Sequence, residues 1–247
     1  MRGYDKGSWA HELAARRWER HPTLVQYAER GEVEHELRAT IGNHLWRVPA
    51  PSYYAMRRDR LVQIMERFAG DQETLIELGS GTGSIVFELV AGGARHKMVG
   101  LELSGTGCEV ARMVAEHYGV EQVEFGHIDL LDPTSPGYGR LDGATVFTHY
   151  CLEQLPNDTE AIFRNLVAAG VRRAILIEPT FELLGWTSLR DLASRTYVLR
   201  QDYQRSIMAT ARRLEQEGLI EVVHTERLDF VSGHRHAGTL LVFDIRR

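Results

Sequence analysis

Apolar positions along the chain change period several times, and each change marks an element. Leu75, Ile76 and Leu78 form a short apolar run that leads into Gly79-Ser80-Gly81-Thr82-Gly83, after which Ile85, Val86, Leu89 and Val90 recur at helical spacing. This pattern predicts a buried strand, a glycine turn and the start of a helix. Lys97 to Leu101 reads as a second strand ending in Glu102, and Thr106 to Tyr118 as a helix with Val110, Met113 and Val114 inward. Val123 to Ile128 follows as a third strand ending in Asp129, and Ala144 to Thr148 as a fourth. Asp158 to Ala169 is helical in pattern, and Arg173 to Ile177 is a fifth strand ending in Glu178-Pro179. A long helical stretch from Ser188 to Glu217 precedes two β-rich runs, Leu219 to Val231 and Thr239 to Ile245, joined by a turn over 232–238. Such alternation predicts an α/β fold, a parallel sheet with helices on both faces.

The first ~70 residues are more than a plain nucleotide-binding unit needs before its first strand. Residues 8 to 39 read as helical, punctuated by Trp9, Leu13, Trp18, Leu24, Val25 and Leu37, with Pro22 separating two helices. Pro49 and Pro51 break the chain around Trp46, and a helix from Ser52 buries Met56, Leu61, Ile64, Met65 and Phe68 before closing at Gly70. Residues 1–70 are thus expected as a helical extension, serving as a lid, a cover for the sheet or a dimer contact. Residues 71–247 are expected as one domain, with a helical insertion at about 181–205 that is longer than a simple crossover.

Composition narrows the partners. An apolar share of 43% and a charged share of 26% describe an ordinary globular chain. A net charge of −5 offers no electrostatic case for nucleic acid. Two cysteines, Cys108 and Cys151, make neither a disulfide framework nor a metal site by themselves. The charged N-terminus does not read as a signal peptide, and no apolar run is long enough to span a membrane. A cytoplasmic protein with a small-molecule ligand is expected.

The chemistry concentrates at strand ends. Glu77 stands at the end of the first strand, so the turn reads E-x-G-x-G-x-G. An acid there would repel a dinucleotide's pyrophosphate but suits a cation such as an amino acid's ammonium group. Glycine permits positive φ and a close approach by a ligand, and the helix N-terminus beyond offers unpaired N–H groups. Glu102 follows Gly83 by 19 residues, the register at which an acid can accept both ribose hydroxyls of a nucleoside. Asp129 ends the third strand in GHIDL, and the fourth strand runs out through His149, Tyr150 and Cys151 into LEQLP at 152–156.

In their order and spacing these motifs resemble the class I S-adenosylmethionine (AdoMet)-dependent methyltransferases over about residues 60–247. The glycine turn is similar to motif I of that family. LEQLP is similar to its L-E-H-L-P, with Gln154 in place of the histidine, and 214–223 is similar to its closing helix-to-strand passage. The resemblance implies a Rossmann-like seven-stranded sheet of order 3-2-1-4-5-7-6 with strand seven antiparallel. It implies AdoMet as cofactor and S-adenosylhomocysteine as product. Glu77 would meet the methionyl ammonium beside the turn of Gly79, Ser80, Gly81 and Gly83, Glu102 the ribose hydroxyls with Leu103 also on the cofactor side, and Asp129 the adenine amine with Ile128 or Leu130 against the ring. Thr148 completes the cofactor-side set, and Tyr53 or Arg57 could reach the methionyl carboxylate.

Methyl transfer needs positioning, and a base where the acceptor carries a proton. His149 fits that role by its titration range, or is a histidine bonded to backbone at a strand end. Glu178 could hold a cationic or hydroxylic acceptor, or cap the following segment. Tyr150, Trp186, Tyr197, His234 and His236 are expected on the acceptor side. The aromatics of the insertion, beside Arg190, Arg195, Arg200 and Arg205, would enclose a planar or carboxylated molecule or else lie on an amphipathic helix with solvated arginines. No metal site is expected. The absence of N-P-P-Y, of a Pro-Cys pair and of catechol-type metal ligands leaves a metal-independent enzyme. Its acceptor is an O, N or C atom of an amino acid, peptide or secondary metabolite. The alternatives are a non-catalytic partner subunit of the same fold and an NAD-dependent oxidoreductase. A homodimer is compatible with either.

Overall fold

A computed structural model describes residues 9–29, 36–41, 44–70, 72–155, 159–228, 230–232 and 238–246. In chain order the leader contains α1 (Trp9–Ala15), a 3-10 turn (Arg17–Arg20), α2 (Leu24–Ala28), β1 (Glu36–Ile41), β2 (His44–Pro49) and α3 (Ala50–Ala69). Then come β3 (Thr74–Leu78), α4 (Ser84–Ala91), β4 (Lys97–Glu102), α5 (Gly105–His117), β5 (Val123–His127) and β6 (Thr145–His149). The chain continues through α6 (Thr159–Ala168), β7 (Arg173–Pro179), α7 (Leu189–Arg200) and α8 (Ile207–Gln216). It ends with β8 (Ile220–Arg227), β9 (Phe230–Ser232) and β10 (Gly238–Ile245).

Seven strands form one sheet in the order β5-β4-β3-β6-β7-β10-β8. Counted along the chain within that sheet, this is the expected 3-2-1-4-5-7-6. β3 and β4, β4 and β5, and β6 and β7 pair in parallel, whereas β10 runs antiparallel to both β7 and β8. The inner parallel strands β3, β4, β6 and β7 are buried almost throughout, as strands covered on both faces are, and in β7 every residue after Arg173 is buried; of the edge strand β5 only Phe125 is.

The chain divides into two compact units, residues 1–35 with 49–140, and residues 36–48 with 141–247. The first unit's core holds Leu75, Leu78, Phe87, Leu89, Met98 and Leu101. Ser104 caps α5 by accepting from Gly107 N at 3.0 Å, which sets the helix start directly after β4. In the second unit Phe163 of α6 packs on Phe243 of β10 with ring centroids 5.1 Å apart. Ile207, Met208, Ala211 and Leu214 bury one side of α8.

Two elements differ from the sequence reading. The helix expected through residue 39 ends with α2, and residues 36–41 and 44–49 form β1 and β2 instead. With β9 they make a separate three-stranded sheet of order β2-β1-β9 in the second unit, with Ala39 opposite Ser232 and Ile41 opposite Phe230. The partner strand lies so far along the chain that local periodicity carries no sign of it. The long helix expected over 188–217 is likewise two helices. Between them Asp202 takes a left-handed φ of 50°, and Gln204 N donates to Glu153 O at 2.9 Å. That bond leaves the helical pattern and ties the segment to the LEQLP turn.

Candidate functional site

The glycine turn is built to a fixed shape. Gly79 N and Ser80 N both donate to Leu101 O, at 2.7 and 3.1 Å, and Gly83 N donates to Ser80 O at 2.8 Å. Gly79, Gly81 and Gly83 all have positive φ, at 74°, 55° and 78°. For Gly83 a side chain is excluded twice over, since a Cβ would lie 2.8 Å from Phe125 and 2.9 Å from Phe87. Gly83 also serves as N-cap of α4 and, having no side chain, makes no cap bond of its own.

Glu77 lies opposite Gly100 in the β3–β4 register and is only 2% exposed. Its Oε2 has no hydrogen-bond partner, nor does the buried Ser80 Oγ. Burial pushes the Glu77 carboxyl well above the usual carboxylate range, and the charges of Glu102 and Glu88 push it further, against a bond from Val86 N–H. A buried acid with an unmet oxygen is costly unless a donor arrives. A ligand ammonium would supply that donor and reverse the shift.

Glu102 closes the turn from the β4 side. Its Oε2 accepts from Gly81 N at 2.9 Å and its Oε1 from Ser104 N at 2.9 Å. Each oxygen keeps a second lone pair for a ligand hydroxyl. Gly107 lets α5 press against the turn, because a Cβ there would lie 2.9 Å from Gly81 O. Leu103 follows, half-buried. At the end of β5, Ile128 is buried, and a Cβ on Gly137 would lie 2.7 Å from it. The half-buried Asp129 turns its Oδ1 onto Leu131 N at 2.9 Å, while its own N donates to Ser135 Oγ.

Arg57 and Tyr53 stand on α3. Arg57 forms a bidentate pair with Glu88 of α4, Nε to Oε2 at 2.9 Å and Nη2 to Oε1, and lies 4.8 Å from the Tyr54 ring centre. The guanidinium therefore neutralises a buried carboxylate in the same unit as the glycine turn. Tyr53 is buried, edge-on to Tyr54. Neither Glu88 nor its pairing was expected from the sequence; a lone acid within the apolar run of α4 was the available sign.

The second unit gathers a different set. Glu178, 1% exposed at the end of β7, accepts from Cys151 N at 3.0 Å through Oε1, while Oε2 has no partner. Burial raises its pKa to about 7, opposed by the Thr148 hydroxyl and by the N–H groups of Cys151, Leu152 and Glu153. Glu153, in the LEQLP turn, is raised to about 8 by burial and by Glu178. In sequence Gln154 is the residue of this turn that departs from the family pattern, and nothing local marks its neighbour Glu153 as buried. His149 packs at 4.9 Å from Tyr150, which takes φ 53° and donates its N–H to Ile177 O. In the insertion, Arg195 stacks between Phe181 and Trp186, at 4.3 and 3.8 Å, and donates to Phe181 O and Leu184 O. Trp186 remains 72% exposed, and Tyr197 pairs with Tyr203 rather than with this stack. His234 and His236 lie outside the described residues.

Among the described residues no group of three or more His, Cys, Asp or Glu side chains is placed to hold a metal, and no helix is long and apolar enough to cross a membrane.

Neither a protein-family model nor a curated protein matches the sequence. Solved structures do match by fold. The chain is similar to magnesium protoporphyrin IX methyltransferase from Synechocystis PCC 6803, solved with bound S-adenosylhomocysteine (SAH). That match has a TM-score of 0.55 and 17% identity over 79% of this chain and 85% of that one. It is similar to the [4+2]-cyclase SpnF, with a TM-score of 0.59 and 11% identity over 90% and 93%. It is also similar to an O-methyltransferase family protein from Burkholderia thailandensis, with a TM-score of 0.57 and 15% identity over 77% and 57%. The chain thus has the fold of the class I AdoMet-dependent methyltransferases.

Proposed function

We propose that this chain binds AdoMet at the glycine turn and transfers its methyl group, without a metal, to an O, N or C atom of a small molecule. The observation that carries the reading is Glu77, a buried carboxylate whose Oε2 lacks a donor at the end of β3. The bound cofactor would supply an electrophilic methyl on a sulfonium. In this reading Glu77 accepts the methionyl ammonium, and the backbone of Gly79, Ser80, Gly81 and Gly83 admits the ligand closely. Glu102 receives the ribose hydroxyls beside Leu103. Ile128 lines the adenine and Asp129 accepts from its amine, with Thr148 completing the set. Tyr53 and Arg57 are assigned to the methionyl carboxylate, with Arg57 shared by Glu88.

On the acceptor side His149 and Glu178 are the candidate proton acceptors. The partly protonated Glu178 suits a hydroxyl or an amine at neutral pH, because its pKa of about 7 matches that task. Tyr150, Trp186, Tyr197, His234 and His236 are assigned to acceptor binding, and residues 1–70 to an extension of the catalytic domain. Amino acids, peptides and secondary metabolites are the acceptor classes to test first.

Titration calorimetry with SAH, AdoMet and NAD tests the cofactor assignment, and tight NAD binding with no SAH affinity overturns it. Glu102→Ala should weaken SAH by tenfold or more, since it removes both the ribose acceptor and the bond holding Gly81. Unchanged affinity would remove Glu102 from the site. A second reading comes from SpnF, a [4+2]-cyclase with this fold, because a shared fold does not dictate the reaction. Incubation with radiolabelled-methyl AdoMet and metabolite pools separates the two. SAH binding with no label transferred to any pool favours the second.

A further inference from the structure

The segment between β7 and α8 carries a buried cation that its surroundings leave unpaired. Arg195 lies in the middle of α7 and is 8% exposed. A guanidinium keeps its charge at any working pH, so burying one is costly unless an anion accompanies it. Two acids are near it in sequence, and neither is paired with it. Asp191, one turn earlier on α7, takes Arg227 through both oxygens at 2.6 and 3.2 Å and accepts from Gly185 N at 2.8 Å. Glu182 turns its Oε1 to the start of α8, where it accepts from Met208 N at 3.0 Å and Ala209 N at 3.1 Å. Among the described residues no carboxylate pairs with Arg195.

The guanidinium is also held in one orientation. Its carbon lies 4.3 Å from the ring centre of Phe181 and 3.8 Å from that of Trp186, so both faces are covered and only the edges can bond. Both hydrogen bonds that it makes leave from Nη1, to Phe181 O at 3.3 Å and Leu184 O at 3.2 Å. Nε is buried and has no partner. The edge formed by Nε and Nη2 is one that pairs bidentately with a planar oxyanion, and it is the edge left over. The loop after β7 is shaped around this arrangement. Two of its carbonyls and Gly185 N bond to side chains of α7, and a Cβ on Gly185 would lie 3.0 Å from Asp191 Oδ2.

The position of this edge ties it to the acceptor side. Phe181, whose carbonyl holds the guanidinium, follows Glu178 by three residues, so their Cα atoms are at most about 11 Å apart. Trp186 is 72% exposed, so one wall of the stack is a side chain with little packing to oppose its movement. One cation calls for one negative charge. A carboxylate supplies it in a flat, two-oxygen form, whereas a phosphate dianion would bury a surplus charge.

We propose that Arg195 binds a carboxylate of the methyl acceptor through Nε and Nη2, and that the acceptor is therefore an anionic molecule. This rests on the methyl-transfer reading given above. Among the classes named there, it selects amino acids, peptides with an exposed carboxylate and acidic metabolites over neutral ones. Arg195 binds and orients the acceptor and moves no proton.

The test uses the full chain without cofactor, and acetate as the probe. Acetate stabilises proteins generally, so it is compared with chloride at equal ionic strength and with Arg195→Lys, which keeps the charge and loses the fork. A site of about 10 mM affinity should raise the wild-type melting temperature by about 3 °C or more in about 0.1 M acetate, an increment absent from Arg195→Lys. A second readout needs no variant. The arginine Nε–H resonance that ring currents set apart from the others should move as acetate is added to wild type. An equal increment in wild type and variant, or a resonance that stays in place, overturns the proposal. Phosphate raising the melting temperature more than acetate at equal concentration overturns the carboxylate. In the radiolabelled screen the methylated products should come from carboxylic acids, whose amides lose a hundredfold or more in kcat/KM; transfer to a neutral acceptor overturns the assignment. Because the acetate titration involves no AdoMet, a failure of the methyl-transfer reading is seen separately from a failure of this site.

Discussion

Replacing Glu77 by glutamine should weaken SAH binding about a hundredfold or more and, at neutral pH and above, make the ligand-free protein more stable. The two effects have one cause. Glu77 is buried with an oxygen that finds no donor, and burial together with Glu102 and Glu88 lifts its pKa well above the usual carboxylate range. In the folded protein it therefore holds a proton over a pH range in which the unfolded chain has lost it. Between the unfolded value and the raised folded value the native state binds more protons, so stability falls as pH rises through that window. Glutamine keeps an acceptor for Val86 N–H and removes the charge. Its stabilising effect should be absent below about pH 4, where both states are protonated, and should grow as pH rises.

Binding runs the other way. The ammonium needs the anion, and removing one member of a buried charged pair costs about 2–5 kcal/mol. Wild type should also release a proton on binding SAH in mildly acidic buffer, because the incoming cation lowers the Glu77 pKa. Calorimetry in two buffers of different ionisation enthalpy measures that release. A variant that binds SAH normally would show that Glu77 does not face the ligand.

The strand-turn-helix pattern of residues 74–129 and the acids at its strand ends are legible in the sequence, because they are local signals. The order of the seven strands followed from the family resemblance that those motifs carry. What could not be read was pairing across long separations. β1 is made a strand by β9, and nothing within residues 36–41 announces that partner. The break before α8 escaped notice because 188–217 carries helical periodicity without proline or glycine near the break; the bond from Gln204 N to Glu153 O is tertiary. Glu102 was read as a ligand acceptor, whereas the structure adds that it braces the turn through Gly81 and Ser104. Trp9 was read as helix punctuation, and only the fold carries it to Gly81. Sequence pattern identifies which residues end strands, but not which side chains are left without partners after packing.

That distinction matters most at Glu178 and Glu153. A carboxyl raised from 4.5 to about 7, beside another raised to about 8, makes the second unit less stable as pH rises from about 5 to 8. The two are coupled, so the protons leave in two steps belonging to the pair. Glu178→Gln should remove part of the dependence: it deletes one titrating group and takes the like charge away from Glu153, whose burial still raises it. The shift at Glu178 corresponds to about 3 kcal/mol at high pH. Allowing for coupling, the melting temperature of the variant should exceed wild type by about 4–8 °C at pH 8.5 and match it at pH 4.5. Glutamine can still accept from Cys151 N, so lost backbone anchoring should not mask the gain. With an acceptor in hand, the same variant should lose at least tenfold in turnover while SAH affinity stays within twofold. A stabilised variant with full turnover would assign Glu178 to capping the LEQLP turn, and equal melting at both pH values would place its carboxyl in contact with water.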